Sequence, residues 1–320
     1  MNWSKDALFS KAKLFMGKAF EEDKDSPYFG IFSAMGLELL ARAAVASVHP
    51  ALLAEPDASQ KNIMYALGLN DAASSPKSIA TNRVLALCGD LFPNFNSDLE
   101  KMAKSMTERR NEELHSGGAA FQDYNQDHWI GGFYKACKVL VEAMGKSMDS
   151  LFGRARAEEA EALIAEGETA VKKSVMDMIS ARKKTYEEDL MNDKERVAKI
   201  IEASDRNVTL LSHQGYHVVD CPCCGNKACI HGRESSNSHE QIQEDEVIVK
   251  KDVIPDSFYC HVCGLRLTSY AELQAAELPL HYTNTYNYDP VEYFSIDVDE
   301  LVMSDAYQDY RANLEEYSNE

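Results

Sequence analysis

The chain has 320 residues, with 33 Lys and Arg against 52 Asp and Glu, and a formal net charge of −19. At 45% hydrophobic and 27% charged residues it has the make-up of a globular protein of two or three domains, which excludes collagen-like and wholly disordered chains. No apolar run reaches the about 18 residues that a bilayer demands, and Lys5, Lys11, Lys13 and Lys18 interrupt the apolar residues of the N-terminus. Neither a membrane span nor a secretory signal is expected, and the chain is expected to be cytoplasmic.

The charge is unevenly spread. Residues 1–150 hold 16 basic and 19 acidic side chains and residues 151–210 hold 11 and 13, whereas residues 211–320 hold 6 and 20. A segment this acidic repels phosphate backbones, so nucleic-acid contact is expected on the first half of the chain. The acidic third is expected instead to meet a protein partner, to shield the active site, or simply to keep the protein soluble.

The first 150 residues read as helices. Leu8, Ala12, Phe15, Met16 and Ala19 recur at helical spacing, and residues 28–48 are apolar nearly all round, as a buried central helix should be. Pro50 and Pro56 break the chain, a third helix is expected over about 78–91, and Ser97-Asp98-Leu99-Glu100 has the form of a capping box opening a fourth. The fourth runs through Leu99, Met102 and Met106 to Leu114 and is expected to stop at Gly117-Gly118. A fifth is expected from about His128 to Phe152, carrying Trp129, Phe133, Leu140 and Met144.

Residues 154–204 are rich in Ala, Glu, Lys and Arg, with Ile164, Val171 and Met178 seven apart, which predicts a charged helical linker or short coiled-coil arm. From Val208 the pattern turns β-like (VTLL, YHVVD, EVIVKK), interrupted by a polar loop over 232–245. Beyond Tyr282 lies a segment dense in Tyr and acid that ends in a predicted amphipathic helix with Leu301, Tyr307, Tyr310, Leu314 and Tyr317.

Two motifs carry chemistry. CPCCG (221–225) and CHVCG (260–264) are each Cys-x-x-Cys followed by Gly. Four thiolates satisfy tetrahedral Zn²⁺, and a glycine after the second Cys permits the turn that aims backbone amides at sulfur. Cys221, Cys224, Cys260 and Cys263 are therefore the expected ligands of a structural zinc with no open coordination position, in a spacing that resembles a zinc ribbon. Cys223 in place of Cys224, and Cys229 or His231 as further ligands, remain alternatives. The second motif is Arg110-Asn111-x3-His115 at the end of the predicted fourth helix, with Arg109 offering a second register. A guanidinium can hold phosphate oxygens, and an imidazole can move the proton of a 2′-OH. The bland alternative pairs Arg110 with Glu108 or Glu113 on a solvated helix face.

An Arg, a polar residue and a His at this spacing, on the penultimate helix of an all-helical domain of about 150 residues, resemble the HEPN superfamily of ribonuclease-like domains. The resemblance covers residues 1–150 in architecture and is sharp only at 110–115. It implies metal-independent RNA cleavage by Arg110, Asn111 and His115 at a composite site of a homodimer, with Arg109 contacting RNA, and a role in toxin action or antiphage defence against tRNA or mRNA. An antitoxin or other protein would then meet the acidic third. The expected organisation is multi-domain: an all-α HEPN-like helical bundle over 1–153, a helical arm over 154–204, a small β zinc ribbon over 205–281 and an acidic Tyr-rich segment over 282–320.

Overall fold

The computed structural model describes residues 2–69, 76–122, 124–304 and 306–311, leaving aside the side chains of Ser236 and Asn237. The chain forms two compact units, Met1–Arg233 with Ile254–Leu280 and Glu234–Val253 with His281–Glu320.

In the first unit, α1 (Lys5–Glu21) and α2 (Pro27–Val48) are opened by Ser4 and Ser26, whose side chains accept from Ala7 and Tyr28 amides. α2 packs against α1, then against α4 (Thr81–Leu91), α5 (Ser97–His115) and α6 (Ile130–Ala143), while a short α3 (Lys61–Ala66) lies between α2 and α4 in sequence. α2 is thus the expected central helix, with Leu37, Leu40, Ala41, Ala44 and Val45 buried. By length and composition it could also cross a membrane, which a search for unbroken apolar runs misses; most of it is buried in the bundle. Gly30 lets the ring of Phe121 approach its backbone, since a Cβ there would sit 2.3 Å from that ring.

Helix ends differ from expectation in instructive ways. Asn96, not Ser97, caps α5, its side-chain oxygen accepting from the amides of Asp98 and Leu99 at 3.1 and 3.2 Å. The helix closes at Ser116, whose amide returns to the Glu112 carbonyl at 2.9 Å, so the Gly117-Gly118 pair follows the stop. The expected fifth helix is two: α6 ends at Ala143, and Gly145, whose φ is +69°, reverses the chain before α7 (Met148–Phe152).

The expected arm is one helix, α8 (Arg154–Asn192), followed after Asp193 by α9 (Lys194–Ser212). The start of α8 docks on α6 and α7 through Ala157, Ala160 and Ile164. The VTLL run is the last part of α9 and not a strand, because Val208 continues the helical spacing of Val197 and Ser204, all three buried.

β1 (His217–Asp220), β2 (Lys227–Ile242), β3 (Val247–Tyr259) and β4 (Arg266–Leu267) are neighbours in that order, and β5 (Tyr282–Tyr288) pairs with β3. α10 (Tyr270–Ala275) follows β4 and packs on α8 and α5. The expected polar loop over 232–245 is largely strand: β2 continues to Ile242 and turns back at Gln243–Glu246. A polar, solvent-facing pattern hides a strand whenever a partner strand supplies its backbone hydrogen bonds.

The second unit holds antiparallel β3 and β5, registered from Val247 against Tyr288 to Val253 against Tyr282, and the short helices α11 (Pro290–Tyr293) and α12 (Val298–Met303). Glu234 accepts from Asn284 at 3.0 Å and from the Tyr286 hydroxyl, and pairs with Lys251. Sixteen acidic and three basic side chains fall in this unit, −13 of the chain's net charge of −19. Of the expected C-terminal helix, Leu301 lies in α12 and Tyr307 and Tyr310 in a further helical stretch; Leu314 and Tyr317 lie outside the described residues.

Candidate functional site

The cysteine site is built from two copies of one turn. The first joins β1 to β2, the second β3 to β4. In each, the amide of the first Cys bonds the carbonyl five residues on (Cys221 to Asn226, 2.9 Å; Cys260 to Leu265, 3.0 Å), and the glycine amide returns to the carbonyl of that Cys (Gly225, 3.0 Å; Gly264, 2.9 Å). Both glycines have φ of +71°, the left-handed region where a side chain strains the backbone.

The Sγ atoms of Cys221, Cys224, Cys260 and Cys263 all lie within 4.8 Å of one another, with Cys221–Cys263 and Cys224–Cys260 at 3.6 Å. A tetrahedral zinc with bonds of about 2.3 Å needs sulfur–sulfur edges of about 3.8 Å, so the set fits that metal. Cys221 and Cys260 are buried and the other two half-buried. Hydrogen bonds within the cluster, first from Cys221, draw Cys260 down to about 7 and Cys224 below the usual thiol range, while Cys221 and Cys263 are pushed up. Cys223 and Cys229 stand outside the cluster; burial raises both of their thiols.

The Arg-Asn-x3-His motif lies on the last turns of α5, and the structure gives its members different settings. Arg110 is largely buried, with 14% of its side chain exposed, and its Nη1 donates to Glu38 of α2. Its Nε and Nη2 both donate to the Asn111 side-chain oxygen, at 3.2 and 2.8 Å. The expected bland partners, Glu108 and Glu113, are not the ones used; Glu113 accepts from the Phe121 amide at 3.4 Å. Glu38 also accepts from Arg42, which reaches on to Ser78 and the Ile79 carbonyl at 3.1 Å each. Burial drives the Glu38 pKa up, but the Arg110 hydrogen bond and the charges of Arg42 and Arg110 outweigh it and leave the carboxyl below its ordinary range. Glu38, Arg42 and Ser78 line a cleft of about 520 Å³ against α1, with Trp3 and Lys11 at its wall.

Arg109 points elsewhere. Its guanidinium lies 3.6 Å from the centre of the Tyr124 ring and donates to the Ala120 carbonyl at 3.0 Å, pinning the loop after α5. Asn111 and His115 are exposed. Five residues of helix separate Arg110 from His115, about 140° of rotation and about 7.5 Å of rise, and the two differ in setting, Arg110 largely buried against Glu38 and His115 exposed.

Comparison with known proteins finds no matching family model, curated protein or solved structure.

Sequence reasoning missed Glu38. A single Glu and Arg42, four residues apart in an otherwise apolar helix, were its only signal: a charged pair in a core helix needs partners, and Arg110 supplies the second positive charge.

Proposed function

We propose that the protein is a HEPN-type, metal-independent endoribonuclease that acts as a homodimer, a toxin or antiphage-defence effector cleaving tRNA or mRNA. The observation that supports this reading is the state of Arg110. Glu38 fixes one end of its guanidinium, and the Nε/Nη2 edge, two parallel donors of the kind that grip a phosphate, rests on the neutral oxygen of an exposed Asn111. A phosphate oxygen displaces an amide oxygen there at a gain in charge pairing.

In this mechanism Arg110 holds the scissile phosphate and stabilises charge on the phosphorane. His115 takes the proton of the 2′-OH, the 2′-oxygen attacks phosphorus, and the bond to the 5′-oxygen breaks as that oxygen receives a proton from the His115 of a second copy. The products are a 2′,3′-cyclic phosphate and a 5′-OH. The divergence of Arg110 and His115 along α5 is the reason for two copies. Arg109, held by Tyr124 and Ala120, serves RNA by keeping the loop after α5 in place. A zinc held by Cys221, Cys224, Cys260 and Cys263 would tie the two knuckles together and take no part in the reaction.

A second reading, an idle bundle that dimerises as a scaffold while its acidic unit binds a protein, is favoured by the neutralisation of Arg110 by Glu38. One experiment separates them: purified protein is incubated with total RNA in EDTA and the new ends are mapped. Cleavage leaving 2′,3′-cyclic phosphates, lost in both H115A and R110A, supports the nuclease. Intact RNA, unchanged cleavage in H115A, or an absolute need for Mg²⁺ overturns it.

A further inference from the structure

Beside the second cysteine knuckle lies a half-open cavity of about 460 Å³ whose use the cleavage chemistry leaves unexplained. Its walls carry Tyr216, Cys229, His231, Tyr259, His261 and Arg266. Strand alternation gathers them. Cys229 and His231 are two apart on β2, Tyr259 ends β3, and Arg266 of β4 is registered directly against Tyr259. Residues at that spacing share one face of a sheet.

Two features make this a binding surface. The first is aromatic: Tyr216 and His231 lie ring to ring at 4.3 Å and 31°, and Tyr259 meets His261 edge-on at 4.5 Å and 80°. Tyr259, which lines the cavity, nevertheless stays 43% exposed.

The second is charge. None of the carboxylates among the described residues lines this cavity. Arg266 is exposed and makes no ion pair with the described residues. Of the acids nearest in sequence, Asp220 pairs with Lys227 at 2.7 Å and Asp256 with Lys101 at 3.3 Å, while Glu272 keeps its charge and accepts from the amide of Thr268, a lining residue, at 2.6 Å. Cys229 adds no charge, because burial pushes its thiol up. A ligand that suits the cavity is flat, aromatic and anionic, and its volume matches small-ligand pockets.

We propose that the cavity holds one nucleotide unit, its base stacked on Tyr259 and the Tyr216–His231 pair and its phosphate on Arg266. Aromatic rings on a sheet face stack any base without reading its edge, and an unpaired arginine beside them supplies the phosphate contact. The unit is either a free nucleotide or one residue of a single-stranded RNA. The site would then receive RNA beside the cysteine knuckles in the first unit, whose residues 205–233 and 254–280 hold five acidic and four basic side chains, and not in the acidic unit. It stands whether or not the bundle cleaves RNA.

The test uses the full-length protein and a 2′-O-methyl octauridylate, which cannot form a cyclic phosphate. Binding is followed by anisotropy, with AMP, UMP, adenosine and inorganic phosphate titrated alongside. Expected is saturable binding of the oligonucleotide or of the mononucleotides. Y259A should weaken it about 10- to 100-fold, while Y259F, which keeps the ring, should leave it unchanged. R266A should weaken it and lower the salt dependence by about one phosphate. An oligonucleotide bound far more tightly than UMP identifies a strand as the source; equal affinities identify a free nucleotide. The proposal is overturned if neither binds, if Y259A and R266A with wild-type circular dichroism bind as the wild type does, or if inorganic phosphate competes as well as UMP does.

Discussion

Arg110 of α5 donates to Glu38 of α2 across 72 residues of chain, placing the motif's arginine against the core helix and not in open solvent. Glu38, Arg42 and Arg110 are each no more than 16% exposed, so the carboxylate is the counter-charge that allows two guanidinium groups to sit in the bundle. Breaking a pair this buried costs about 3 kcal/mol, because the survivors keep their desolvation penalty. E38Q should therefore lower the urea midpoint markedly at pH 7. An unchanged midpoint would mean that the cluster contributes nothing to folding.

The same pair sets a pH dependence. Folding lowers the Glu38 pKa below its ordinary 4.5, so the stability it contributes is complete above about pH 5 and drains away as pH falls through 4.5 toward the lower folded value. Unfolding free energies measured between pH 7 and 3 should fall less steeply for E38Q than for wild type. Parallel acid limbs would assign that slope to other carboxylates.

Glu100, 4% exposed on α5, is matched by Lys104 at 2.7 Å and by Arg233 at the end of the first stretch of unit one. R233A leaves that carboxylate with one partially exposed lysine and should destabilise by about 2 kcal/mol. K101A, which removes a pair with Asp256 in which the lysine is 64% exposed, should cost under about 0.5 kcal/mol. Equal losses in the two variants, read by chemical denaturation, would contradict this division between buried and solvated pairs.

The cysteine site was legible in the sequence because its geometry is local: Cys-x-x-Cys-Gly encodes the turn, the left-handed glycine and both sulfurs within five residues, and only the meeting of two such turns needs the sheet. The helices were legible for a similar reason, through apolar periodicity. What escaped were long-range pairings. Nothing near Arg110 announces Glu38, and nothing near β2 announces that β3 will convert a polar run such as Ser238–Ile242 into strand. Ser97, equally suited to cap, stands beside Asn96 and masks its role.

Zinc analysis of the purified protein should return one ion per chain, and C260S should lose it, whereas C223S and C229S should retain it, since neither Sγ joins the cluster. Loss of metal should also free α10, which packs on α8 and α5 and whose Ala271 amide donates to Asp98 at 3.1 Å. Leu163 and Ile164, beside Ala271 in an apolar groove of about 390 Å³, would then be uncovered, and C260S should bind a hydrophobic dye while keeping most of its helical circular dichroism. Full zinc in C260S, or loss of zinc in C229S, would require a different ligand set.

The acidic residues after β5 provide the last test, because they can be removed without cutting the strand. Ending the chain after Tyr288 deletes ten carboxylates and one arginine and leaves the β3–β5 ladder whole. If that charge repels RNA from the rest of the protein, the shortened protein should bind the 2′-O-methyl octauridylate more tightly than full length at low ionic strength. Raising salt shortens the Debye length from about 30 Å at 0.01 M to about 8 Å at 0.15 M, so the difference should shrink across that range. The direction follows from the sign of the charge alone; its size depends on how much of the segment lies within a Debye length of bound RNA. Equal affinities at 0.01 M salt would remove electrostatic shielding and leave the exposed Phe294, Leu301 and Met303, set among acids, as a surface for a protein partner.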